Sequence, residues 1–101
     1  MNTFAALADP TRAEILDAVA TRPRSVNEIV SLFDISQPAI SRHLRVLRES
    51  GLVSVRPHGQ NRVYHLEPRP LQEVDRWLDR YRRLWASRLD ALESHMDEDP
   101  E

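Results

Sequence analysis

The apolar period of this chain changes at Gly51, and that switch constrains the fold more than any other feature of the sequence. Upstream, Ile40, Leu44 and Leu47 stand at i, i+4 and i+7, the buried stripe of one α-helix. Downstream, Leu52-Val53-Ser54-Val55-Arg56 and Arg62-Val63-Tyr64-His65-Leu66 are β-branched and aromatic runs around a turn-rich tip, Pro57-His58-Gly59-Gln60-Asn61. They predict a β-hairpin. After Pro68 and Pro70 the helical period returns and runs to about Met96. The expected fold class is mostly α with one hairpin, in a single domain, because 101 residues leave no room for a second core.

The chain before Gly51 is punctuated by helix starts. Phe4, Leu7 and Ala8 form a short apolar stripe, broken and restarted at Asp9-Pro10, an N-cap followed by a first-turn proline. Ile15, Leu16 and Val19 continue at helical spacing until Pro23. Ser25-Val26-Asn27-Glu28 is a capping box for a short helix whose apolar face is Ile29, Val30, Leu32 and Phe33. Ser36 caps the next helix, with Pro38 in its first turn and Gly51 just past its end. Two capped helices joined by Phe33-Asp34-Ile35-Ser36 read as a helix-turn-helix, in which Asp34 stands at the turn position and tolerates a left-handed backbone. With a hairpin directly after it, the order is that of a winged helix-turn-helix.

Composition removes several function classes. There is no cysteine and, among 14 basic residues, no lysine; disulfides, thiolate metal sites and Schiff-base chemistry are excluded. With 2 glycines there is no glycine-rich nucleotide cradle. No apolar run reaches membrane-spanning length and the N-terminus lacks a signal pattern, so a soluble, cytoplasmic protein without membrane contact is expected. The net charge of -2 hides an uneven distribution: Asp97, Glu98, Asp99 and Glu101 make an acidic tail, whereas Arg42, Arg45, Arg48, Arg56 and Arg62 face a single acid, Glu49, between Ser36 and Leu66. A basic middle of this kind suits nucleic acid.

Stepping about 100° per residue from Ile40 puts Leu44 and Leu47 within about 40° of it. Gln37, Pro38, Ser41, Arg42, Arg45 and Arg48 fall between about 60° and 200°. Arg pairs bidentately with guanine, Gln with adenine, and Ser with either. Ser36, Gln37, Ser41, Arg42, Arg45 and Arg48 are the candidate DNA-binding residues of this helix, with Gln60 and Arg62 on the hairpin, which can reach a minor groove.

Phe4-x-x-Leu7-Ala8-Asp9-Pro10-Thr11-Arg12-x-x-Ile15-Leu16 resembles the opening of the ArsR family of bacterial winged-helix repressors. The stretch Ile35-Ser36-Gln37-Pro38-Ala39-Ile40-Ser41-Arg42-His43-Leu44-Arg45-Val46-Leu47-Arg48-Glu49-Ser50-Gly51-Leu52-Val53 is similar to that family's recognition helix and the start of its wing, and Arg62 to Leu66 resembles the second wing strand. The resemblance covers roughly residues 4 to 96 and implies a homodimeric repressor on a palindromic operator, often that of its own operon. Metal-sensing members carry Cys-x-Cys in the helix before the recognition helix, where this chain has Glu28-Ile29-Val30-Ser31-Leu32-Phe33. Others carry Asp-x-His in the last helix, where the nearest match is Asp75-Arg76-Trp77. The resemblance therefore implies repression without metal sensing.

Leu71, Val74, Leu78, Tyr81, Trp85, Leu89, Leu92 and Met96 step by 3 or 4, and Trp77 and Leu84 widen the stripe. A helix of about 27 residues is about 40 Å long, more than so small a domain can cover. A dimerisation helix packing with the N-terminal one follows, with Phe4, Leu7, Leu71, Val74, Leu78, Tyr81, Trp85, Leu89 and Leu92 at the interface. The domain is expected over residues 1–96, with the terminal helix at about 70–96 and a disordered acidic tail at 97–101. Asp75 and Asp79, beside Arg76 and Arg80, read as helix-surface pairs. His43 lies beside the core edge, His58 on the wing tip where it could meet a DNA backbone, and His65 on a strand. His95, near Asp90 and Glu93, is a weak metal signal, so no metal and no cofactor are expected. No nucleophile elbow or His-Glu-x-x-His occurs, so an enzyme is not expected. Two alternatives to an autoregulatory, operator-bound homodimer stay open: a repressor released by an unidentified small ligand, and a winged-helix module for an acidic protein partner.

Overall fold

Three of the helices before the wing start at a side-chain cap: Asp9, Ser25 and Ser36. The computed structural model describes residues 3–98, the last five by backbone alone. Helix α1 is Thr3–Leu7 and α2 is Pro10–Thr21. Strand β1 is Arg24–Ser25, α3 is Val26–Leu32 and α4 is Gln37–Glu49. Strands β2, Val53–His58, and β3, Asn61–Leu66, form the wing, and α5 is Arg69–Glu98. Asp9 accepts the Arg12 N–H at 3.0 Å, and Ser36 accepts the Ala39 N–H at 3.3 Å. Ser25 and Glu28 close the reciprocal capping box. Of the acidic tail expected after residue 96, Asp99, Pro100 and Glu101 lie outside the described residues.

The chain divides into two compact units, Met1–Leu71 and Gln72–Glu101. The core of the first is Ala6, Ile15, Leu16, Val19, Ile29, Ile40, Leu44, Leu47, Leu52 and Val53. Leu7, Val26, Phe33, Tyr64, Leu66 and Leu71 pack around it. Burying Ile40, Leu44 and Leu47 stabilises α4 by about 1.5–3 kcal/mol each. That matters because a helix of 13 residues is marginal on its own.

The apolar faces of α1 and α3 are only partly buried. In α1 the buried residue is Ala6, while Phe4 is exposed and Leu7, half-buried, packs against the core. In α3, Ile29 is buried but Leu32 is 52% exposed.

The hairpin belongs to a three-stranded antiparallel sheet of order β1-β3-β2. Two residues of β1 are too short to show a period, so the sequence does not announce them. They pair as Arg24 with Tyr64 and Ser25 with Val63. The wing strands pair from Val53 with Leu66 to His58 with Asn61, so the tip is only Gly59-Gln60, tighter than the expected five-residue turn. Gly59 has φ 62° and no other tip residue is left-handed, the arrangement that favours glycine at the first loop position. Pro57 sits inside β2, tolerated because β2 is an edge strand. Asp34 does not adopt a left-handed conformation: among the described residues only glycines have positive φ, so the helix-turn-helix corner closes without strain there.

The second unit is the rest of α5. Asp75 and Asp79 do pair, but with Arg82, seven and three residues on, rather than with Arg76 and Arg80: Arg82 binds Asp75 and lies 3.4 Å from Asp79. Arg80 instead stands over the Tyr81 ring at 5.8 Å. Trp77 and Tyr81 stack tilted, 4.9 Å apart.

Candidate nucleic-acid interface

Once Ile40, Leu44 and Leu47 are buried, helical geometry leaves the other face of α4 no choice but solvent. Gln37, Pro38, Ser41, Arg42, Arg45 and Arg48 are all exposed, as is the cap Ser36. The helix is about 20 Å long and as wide as a major groove accepts. Its Ser36 hydroxyl oxygen is engaged with the Ala39 N–H, which leaves the hydroxyl proton to donate.

Arg42, Arg45 and Arg48 make no ion pair among the described residues. The contrast is with Arg82 of α5, bound by two carboxylates, and with Arg22, 2.8 Å from Glu28. On α4 the three open arginines share one exposed face with Gln37 and Ser41, so positive charge is concentrated there beside groups that read base edges.

The wing contributes Gln60, in the two-residue loop, and Arg62, opposite Pro57 on β3; both are exposed and Arg62 makes no ion pair among the described residues. Arg56, counted with them in the basic segment, is different: it lies 3.6 Å from Glu67, which also accepts the Ser54 hydroxyl at 2.6 Å.

Positioning depends on residues that the sequence reading passed over. Arg12 donates from Nε to the Ala6 carbonyl at 2.6 Å and from Nη2 to that of Ala5 at 3.0 Å, closing the last turn of α1 against α2. Arg24 donates to the Ala18 carbonyl at 2.7 Å, fastening β1, and through it β3, to α2. These three bonds cross six or seven residues, beyond any cap pattern. His43 is half-buried beside Asp9, whose carboxyl is held below its ordinary pKa, first by the Arg12 N–H and also by the charges of His43 and Arg12.

Of the apolar residues expected at a dimer interface, Leu7 and Leu71 pack on the first unit's own core. Val74, Leu78 and Tyr81 are half-buried, and Phe4, Trp85, Leu89 and Leu92 are exposed. The side chain of His95 lies outside the described ones. Among the described residues no group of three or more His, Asp or Glu could hold a metal ion, and no helix is long and apolar enough to cross a membrane.

The sequence pattern described as "bacterial regulatory protein, arsR family" matches residues 9–55, from the α2 cap through α4 into the wing. An ArsR-like transcriptional regulator from Rhodococcus sp. RHA1 superposes with a TM-score of 0.73 at 33% identity, over 90% of this chain and 86% of that one. The chain belongs to the ArsR family. This ArsR-family protein is also 39% identical over 92 residues to the HTH-type transcriptional regulator Rv2034 of Mycobacterium tuberculosis, covering 91% of this chain and 83% of that one. The transcriptional repressor SdpR of Bacillus subtilis is 36% identical over 76% of this chain and 86% of its own length. The ArsR-family protein is thus a winged helix-turn-helix, DNA-binding transcription regulator and not an enzyme.

Proposed function

We propose that the protein represses transcription, its own promoter included, as a cytoplasmic homodimer seated on a palindromic operator. In this reading α4 of each protomer enters a major groove with Gln37, Ser41, Arg42, Arg45 and Arg48, Ser36 binds at its start, and Gln60 and Arg62 of the wing meet the flanking backbone or minor groove. The observation that carries the reading is the set of unpaired arginines on the exposed face of α4. A twofold partner is supported by the exposed Leu84, Trp85, Leu89 and Leu92 of α5. Such a row is costly in water, and an isologous contact covers it from both sides.

The test is fluorescence anisotropy with a duplex taken from upstream of the protein's own gene, centred on an inverted repeat, against a scrambled duplex. Binding at least about 10³-fold tighter to the repeat is expected, lost when either half-site is scrambled. Equal affinity for both duplexes overturns operator recognition. Tight binding to one isolated half-site overturns the dimeric reading.

A further inference from the structure

The outer face of the three-stranded sheet carries chemistry that the DNA-binding face does not use. Alternation along paired strands puts Arg56, His58, Val63 and His65 on one side, since Arg56 stands opposite Val63 and Ser54 opposite His65. Val53, Tyr64 and Leu66 go to the core on the other. Together with Pro23, Glu28 and Pro57, these outer residues line an open cleft of about 440 Å³. That is within the roughly 300–1,000 Å³ of small-molecule sites.

The cleft's polar side chains are one carboxylate, two imidazoles and a guanidinium. The Glu28 carboxylate is already paired, Oε1 accepting the Ser25 N–H at 3.2 Å and Oε2 lying 2.8 Å from Arg22, whose charge offsets its own. The imidazoles of His58 and His65 have no hydrogen-bond partner among the described residues. Arg56, 3.6 Å from Glu67, keeps most of its donors open. Two imidazoles and a guanidinium beside Pro23, Pro57 and Val63 offer hydrogen-bond donors at one end and an apolar wall at the other. A phosphodiester backbone has no use for the apolar wall; an organic anion uses both.

We propose that this cleft binds a small organic anion, a carboxylate on an aromatic or branched aliphatic body, and that its occupancy loosens the hold of the wing on DNA. Pro57, which lines the cleft, pairs with Arg62, whose side chain alternates to the other face of the wing; a bound negative charge one strand away, within a Debye length, lowers the positive potential that the wing offers to phosphates. The second half of the proposal rests on the DNA-binding reading above; the first half does not.

The experiment titrates the full chain with sodium benzoate, without DNA, and follows backbone amide and histidine side-chain resonances. Saturable shifts at Glu28, Arg56, His58, Val63 and His65 are expected, with binding weakened about tenfold in His65→Gln and in Arg56→Gln. Absence of saturation, or equal shifts with benzyl alcohol or inorganic phosphate, overturns the site. So does a random duplex that shifts these resonances when benzoate does not, which assigns the face to the DNA backbone. In a second arm, saturating benzoate should weaken duplex binding about three- to tenfold, and unchanged affinity overturns the effector role. A chain that takes benzoate yet binds no duplex upholds the site and refutes the DNA reading, which keeps the two failures apart.

Discussion

Arg45 points away from the core of the first unit near the middle of the α4 face, and Arg62 stands on the wing. The two are expected to fail differently. Arg45→Ala removes a bidentate donor, which costs about 1–3 kcal/mol of specific binding if it meets a base edge. Arg62→Ala removes a phosphate contact and flattens the dependence of log affinity on log salt by about one unit per contact, two per dimer. Anisotropy titrations on repeat and scrambled duplexes over a salt series separate the two, and equal loss on both duplexes for Arg45→Ala refutes base reading. Glu28 supports a prediction about acid. Its carboxyl is held below the ordinary value by the Ser25 N–H first and by Arg22 next. The folded chain therefore binds its proton less readily than the unfolded one. The contribution is complete at neutral pH and is lost as pH falls from about 4.5, the ordinary value, through the lower folded one. Urea midpoints measured down that range should fall less steeply in Glu28→Gln than in the parent chain, and identical slopes would remove Glu28 from the acid response.

At the scale of elements, the joint between α4 and the wing decides how the two parts proposed to contact DNA are spaced. The Gly51 N–H donates to the Arg48 carbonyl at 3.0 Å and the Leu52 N–H to that of Leu47 at 2.9 Å, a Schellman closure. Glu67 N–H then donates to Leu52 at 2.8 Å, tying the end of the wing to its start. Gly51 has φ 78°, and a Cβ there would stand 3.7 Å from Pro70, an ordinary contact. The cost of Gly51→Ala is therefore backbone strain alone, about 1–2 kcal/mol. Urea denaturation should give that loss with an unchanged m-value. A neutral effect would mean the joint relaxes. This element was legible in advance, because caps and glycine closures are local chemistry written in adjacent residues. The strand β1 was not, because two residues become a strand only when β3 lies beside them.

For the whole molecule, the exposed row on α5 is the feature that a monomer leaves unexplained. Replacing Trp85 and Leu89 with glutamate touches side chains already 50% and 61% exposed, so the fold of the first unit should survive, with its circular dichroism retained. Sedimentation should show the parent chain as a dimer at micromolar concentration and the double variant as a monomer with operator affinity lost, because two half-sites are no longer engaged together. A parent chain that sediments as a monomer while binding the full repeat refutes this account.

The helix-turn-helix, the wing and the polar face of α4 could all be read from the sequence. Each follows from contacts within a few residues: Ser25 with Glu28, Ser36 with Ala39, Ile40 with Leu44 and Leu47. The periodicity of a helix leaves its polar face no alternative once its apolar face is buried. What only tertiary structure decided are the matters of which distant group meets which. Arg56 goes to Glu67 while Arg42, Arg45, Arg48 and Arg62 keep their charge open. Arg12 and Arg24 hold carbonyls six and seven residues back. The register of β2 on β3, with Pro23 and Glu28 beside it, gathers His58 and His65 into one cleft. Arginines are alike in a sequence, and a long flexible side chain finds its partner only after the backbone has brought one within reach.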